Sequence, residues 1–177
     1  MDAKKFSRRM KAIYDAEIQN DTYKGYNHDL FRTTIRYDTA TLGPPPRASF
    51  LLTITPPLCN KSNSLHGGCA STLIDVLSTG LLLALSRPGF FSRGGGVTRS
   101  LNVKFLRPVP VGTEVRIVNE LVHVGKRLAL VRTEIRRVAD GVVCVVGEHD
   151  KVNVDPEGEG GEDKDGDGGG RGNGAKL

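Results

Sequence analysis

Across residues 69–85 the chain carries one formal charge, Asp75, in a run of leucine, isoleucine, valine and alanine. Apolar residues fall on every side of the helix this run predicts, the pattern of a buried helix. Ser71, Thr72, Ser78, Thr79 and Gly80 interrupt a stretch already short of the ~20 apolar residues that a bilayer crossing needs, so no membrane span is expected. Near the start, residues 3–19 place Phe6, Met10, Ile13, Tyr14 and Ile18 at helical spacing among charged neighbours, an amphipathic helix for the domain edge. A polar linker, residues 20–29, follows. Alternation at Phe31 and Ile35, then at Phe50, Leu52 and Ile54, predicts strands over 30–37 and 48–55 with a proline turn between them. Beyond the helix, Arg87-Pro88-Gly89 is a stop signal and residues 90–96 read as a flexible glycine-rich loop. Four further strands are predicted over 97–106, 114–124, 127–138 and 142–154, the last pair joined by an Asp140-Gly141 hairpin signal. Two strands, a buried helix and four antiparallel strands make an α+β domain with a sheet curled around its helix.

Composition divides the chain once more. Residues 155–177 hold seven acids and three bases in a glycine-rich setting, a composition that predicts a disordered tail. The remainder carries +9, against +5 for the whole chain, so the body is basic. The organisation is therefore 1–29 helix and linker, 30–154 globular domain, and 155–177 tail. A basic body suits a polyanionic partner. Nucleic acid is not expected, because aromatics are 6%, tryptophan is absent and no nucleic-acid motif occurs. Cys59, Cys69 and Cys144 have neither metal-ligand spacing nor an even count for disulfides, and read as reduced thiols. No metal site is expected. Acids at Asp2, Asp15 and Glu17 argue against a mitochondrial presequence.

Candidate chemistry gathers at the helix. A carboxylate on an apolar helix costs free energy unless it is satisfied or used, and such groups concentrate at functional sites. Satisfaction by the hydroxyls of Ser71, Ser78 or Thr79, or a place on an exposed strip, is the bland alternative. The helix opens on His66-Gly67-Gly68, whose backbone N–H groups and dipole can polarise a carbonyl or hold an oxyanion. Gly67 and Asp75 lie eight residues apart in the sequence. At 1.5 Å per residue that separates them by ~12 Å along one helix. Both can serve one reacting carbonyl if one subunit supplies the helix start and another supplies Asp75, which predicts a symmetric dimer.

Asn60, then His66-Gly67-Gly68, Asp75, and Val97-Thr98 ahead of Leu101-Asn102-Val103-Lys104-Phe105-Leu106-Arg107-Pro108 resemble the hotdog-fold thioesterases of the phenylacetic-acid-degradation, or PaaI-like, type. Within that type the chain is most similar to the acyl-coenzyme A thioesterase 13 group, also called thioesterase superfamily member 2. The resemblance covers residues 30–153. It implies a hotdog fold and hydrolysis of acyl-CoA to a carboxylic acid and coenzyme A. It further implies a homodimer, or a homotetramer of paired dimers, and no cofactor beyond the coenzyme A of the substrate.

Carried over residue by residue, the Gly67 N–H polarises the thioester carbonyl and His66 positions that turn. Asp75 of the facing subunit is the general base for water, or a nucleophile through an anhydride. Asn60 and Thr98 orient water and substrate; relatives commonly have Ser at position 98. Gly68, Lys126 and Arg127 are candidate contacts for coenzyme A, with Arg107 a weaker one. Leu73, Ile74, Leu77, Leu81, Val103 and Phe105 read as core or interface. The alternatives are a non-catalytic acyl-CoA or lipid-binding hotdog module, and behind it a nucleic-acid binder. A hotdog hydratase needs an acid and a histidine in another local arrangement. The last three residues, Ala175-Lys176-Leu177, resemble the address read by the peroxisomal import receptor. That makes the peroxisome the expected location, with mitochondrion and cytoplasm as alternatives.

Overall fold

The computed structural model describes residues 1–26 and 28–156. The tail expected to be disordered, and its final tripeptide, lie outside the described residues apart from Asp155 and Pro156.

Helix α1 (Ala3–Glu17) begins where Asp2 accepts a bond from the Lys5 N–H and buries Phe6, Met10 and Tyr14. A short helix α2 (His28–Thr34) leads into strand β1 (Ile35–Thr41) and its antiparallel partner β2 (Arg47–Thr53). A 3-10 turn (Pro56–Leu58) precedes α3 (Gly67–Leu85). The strands β3 (Val97–Phe105), β4 (Glu114–Val124), β5 (Leu128–Arg137) and β6 (Val143–Val152) complete one six-stranded sheet. Its order is β1-β2-β4-β5-β6-β3, antiparallel throughout, so β3 forms one edge.

The sheet wraps α3, whose Ala70, Leu73, Ile74, Leu77, Leu81 and Leu82 are at most 2% exposed. Burying each leucine or isoleucine this way is worth about 1.5–3 kcal/mol, so this face of α3 is the anchor of the fold. The helix packs tightly on the sheet at Gly147 of β6, where an added Cβ would fall 2.8 Å from Ile74 Cδ1. A side chain there would push α3 outward.

Two expectations need correction. Residues 30–34, read as the start of a strand, are helical. Phe31 and Ile35 satisfy an i, i+4 spacing as well as an alternating one, and the Thr33 and Thr34 hydroxyls bond back to the Asp29 and Leu30 carbonyls. Nor is α3 buried on every side. Thr72, Asp75, Val76, Thr79, Gly80 and Leu83 are partly open and face a cavity roofed by α1. The glycine loop at 90–96 is fastened as well: Asp155 accepts from the Ser92 and Arg93 N–H groups at 2.8 and 2.9 Å.

Candidate active site

Strand alternation on β6 turns Gly147, His149 and Lys151 toward α3 and leaves Glu148 exposed on the other face. Pairing with β3 sets Thr98 opposite Lys151, and a bulge follows between Thr98 and Ser100. Asp75, Ser78 and Thr79 of α3 cross over these strands. The resulting cluster is held by short contacts. Thr98 Oγ1 donates to Asp75 Oδ1 at 3.0 Å and lies 2.9 Å from His149 Nε2. His149 Nδ1 is 2.6 Å from Ser78 Oγ. His149 Nε2 also lies 3.2 Å from Asp75 Oδ1.

His149 is fully buried. Desolvation pushes its pKa down to about 4, reinforced by the Lys151 charge and opposed by Asp75 and Asp150. Near neutral pH the ring is therefore uncharged. One proton arrangement links the four side chains: Ser78 O–H donates to Nδ1, Nε2–H donates to Thr98 Oγ1, and Thr98 O–H donates to Asp75. The relay points toward the carboxylate and fixes Oδ1.

The Asp75 side chain is 46% exposed, so the rest of the carboxylate faces the cavity. The hydroxyls of Ser71 and Thr79 reach main-chain carbonyls rather than the Asp75 carboxylate, so they do not satisfy it. The other half of the bland alternative, a place on a partly exposed strip, is what the structure has. Lys151, buried to 3% exposure, donates from Nζ to Thr79 Oγ1 at 2.7 Å. Burial holds its pKa below the ordinary lysine value, with Asp75 acting in the opposite sense.

The cavity measures about 460 Å³, within the range of small-molecule sites, and Asp75, Thr98 and Lys151 share its lining with α1. Asp75 and Thr98 are thus brought together within one chain. His149 and Lys151 escaped the sequence reading, and Ser78 entered it only as a hydroxyl for Asp75. The available signal was a histidine and a lysine in phase with the buried positions of a strand.

The helix start forms a separate place. His66 is the N-cap of α3, with φ −67° and ψ 133°, and its Nδ1 accepts from the Gly68 N–H at 3.0 Å. This bond engages the backbone donor of Gly68, which is therefore closed to the coenzyme contact expected of it. The Gly67 N–H, one position earlier, belongs to the first turn that has no intrahelical acceptor. A Cβ at Gly67 would lie 3.3 Å from the Phe105 ring.

Asn60 Oδ1 accepts from the Ser62 and Ser64 N–H groups at 2.9 and 3.3 Å, shaping the loop that delivers the helix. His66 N to Leu58 O and Leu65 N to Val109 O, at 2.9 and 2.8 Å, tie that loop down. Lys126 and Arg127 are exposed on the β4–β5 turn and are not part of the cavity wall. Arg107 donates to the Val143 carbonyl at 3.0 Å. Burial pushes the Cys69 thiol up to about 11, which makes it a poor nucleophile.

Comparison with known proteins places this geometry. Residues 62–144 match the family model of the thioesterase superfamily. The acyl-coenzyme A thioesterase 13 of Mus musculus is 30% identical over 92 residues, covering 52% of this chain and 62% of that protein. The chain thus spans less than two thirds of this curated relative. Among solved structures, zebra fish thioesterase superfamily member 2 superposes with a TM-score of 0.65 at 20% identity, covering 86% of this chain and 98% of that one. The E. coli PaaI protein gives 0.63 at 18% identity, covering 84% and 96%. At such identities the structures speak for the fold, and the family match speaks for the sequence. Residues 62–144 are thus similar to the thioesterase superfamily, and the chain has the hotdog fold that it shares with the zebra fish and E. coli structures.

Proposed function

We propose that the protein is an acyl-CoA thioesterase whose active sites are shared between two subunits. The observation that carries this reading is a half-exposed Asp75 carboxylate at a cavity wall, oriented through Thr98 by a buried, uncharged His149. Asp75 takes a proton from water as the water oxygen bonds to the thioester carbon. The C–S bond then breaks, releasing the carboxylic acid and the coenzyme A thiol. Oδ1 is held by Thr98 and His149, so the remaining lone pairs of Asp75 are directed at the water. No cofactor enters the scheme.

The carbonyl oxygen needs a donor, and within one subunit the Gly67 N–H is ~12 Å along α3 from Asp75. A second copy supplies it. Support comes from edge strand β3, which with the residue after it exposes Val97, Phe105 and Leu106 at 52%, 56% and 51%. An apolar, unpaired sheet edge is a template for association. Phe105 packs beside Gly67, so the helix start lies at that edge. Lys126 and Arg127, with the basic body, suit the phosphates of coenzyme A as point charges.

The test is thiol release from short, medium, long-chain and aryl acyl-CoAs by the wild type and Asp75→Asn. Release by the wild type and its loss in the variant, with the oligomer intact on sizing, supports hydrolysis. Binding of acyl-CoA without release by the wild type favours the non-catalytic acyl-CoA-binding module instead.

A further inference from the structure

The cavity beside Asp75 has a polar group that the hydrolytic scheme leaves unused. His28, the first residue of α2, lines it together with Asp75 and Thr98. It is 5% exposed, and among the described residues neither Nδ1 nor Nε2 has a hydrogen-bond partner. Both nitrogens have thus given up water without a replacement, a rare condition in a folded protein.

The ring is positioned by contacts that pair neither nitrogen, although both are covered from solvent. Tyr23 meets it edge-on with centroids 5.0 Å apart, and the His28 N–H donates to the Gly25 carbonyl at 3.2 Å. Met10, Ile13, Phe31 and Phe50 give the same cavity apolar wall. Tyr14 is no competitor for a ligand, because its hydroxyl donates to the Ile35 carbonyl at 2.7 Å.

We propose that the cavity takes an acyl chain whose far end carries a hydroxyl, and that His28 is the residue that selects it. The proposal rests on the hydrolytic reading for placing the thioester at Asp75. A neutral imidazole presents one donor and one acceptor, and a hydroxyl can answer either one, as acceptor or as donor. A methyl terminus leaves both nitrogens unpaired, and a carboxylate offers acceptors alone. A site built to bond a hydroxyl discriminates against the analogue that lacks it, because the buried polar atoms are then stranded.

The experiment uses non-hydrolysable thioether analogues of CoA, in hexyl to dodecyl series with and without a terminal hydroxyl. Their binding is measured by calorimetry to the full chain, His28→Phe and His28→Gln. At the chain length that spans the cavity, the hydroxylated analogue binds the wild type about tenfold tighter, one ordinary buried hydrogen bond. The ratio collapses toward unity in His28→Phe and is partly regained in His28→Gln, which keeps a donor and an acceptor. The kcat/KM ratio of the matching thioesters follows it. Equal affinity of the two series at every length overturns the proposal, as does a preference that neither substitution moves. A hydroxyl preference without thiol release supports His28 as the selector while sinking hydrolysis.

Discussion

The first turn of α3 and its middle turn solve the same problem, a polar group on an apolar helix, in opposite ways. At the start, the partners are a few residues away: His66 caps Gly68, and Asn60 caps Ser62 and Ser64. In the middle, Asp75 is held by Thr98 and His149, residues 23 and 74 positions on, and Thr79 by Lys151, 72 positions on. Local satisfaction makes a rigid platform that still presents the Gly67 N–H. Long-range satisfaction makes a carboxylate with one oxygen fixed and the rest facing a cavity. In the function proposed above, the difference gives electrophile binding to one end and base chemistry to the other, which no single helix can bring together.

The comparison breaks most severely at Asp75. Asp75→Asn keeps size and removes the base, and thiol release should fall by about 10²–10⁴-fold with the fold retained, the usual worth of a positioned general base. A fall of less than threefold would move the chemistry elsewhere.

Next is the packing that brings the middle turn to its partners. Gly147→Val puts side-chain atoms where Ile74 stands, and overpacking of this kind costs about 1–3 kcal/mol. Urea midpoints measure that cost, and activity should fall further than the lost stability explains, because Asp75 leaves Thr98.

The third effect is one of pH. His149 titrates near 4 when folded and near 6.5 when free, so below 6.5 the unfolded chain binds a proton that the folded chain refuses. Stability at this site is therefore flat above pH 6.5 and declines from there to about 4, by a few kcal/mol. Chemical denaturation across that window should show the decline in the wild type and a shallower one in His149→Gln.

The mildest change concerns the β4–β5 turn. Alanine at both Lys126 and Arg127 should raise KM for acyl-CoA a few-fold, leave kcat alone, and lose its effect in high salt, as exposed charges do.

What the sequence disclosed follows the same division. Helix α3, its glycine start and the four-strand run after it were legible because caps, turns and periodicity are local. Asp75 stood out as the one carboxylate on an apolar helix, and Thr98 came through a family resemblance. His149 and Lys151 look unremarkable in Glu148-His149-Asp150-Lys151, since strand phase decides which of the four point inward, and only the pairing with β3 shows what they meet. The helix at 28–34 was missed because Phe31 and Ile35 fit two periods. Missing it concealed His28, whose place in the cavity depends on α1 and α2 closing over α3.

The shared site can be tested by mixing two defective chains. Gly67→Pro deletes the backbone donor at a position where proline suits a helix start, and His66 already holds the extended conformation that proline asks of its predecessor. Coexpressed with Asp75→Asn, it forms mixed dimers in which one site carries both defects and the other carries neither. Each variant alone should be nearly inactive, and the mixture should recover about a quarter of wild-type thiol release, the yield of statistical pairing in a two-fold dimer. Mixed dimers that form but recover nothing would show that each subunit works with its own Gly67 and Asp75, contradicting the account.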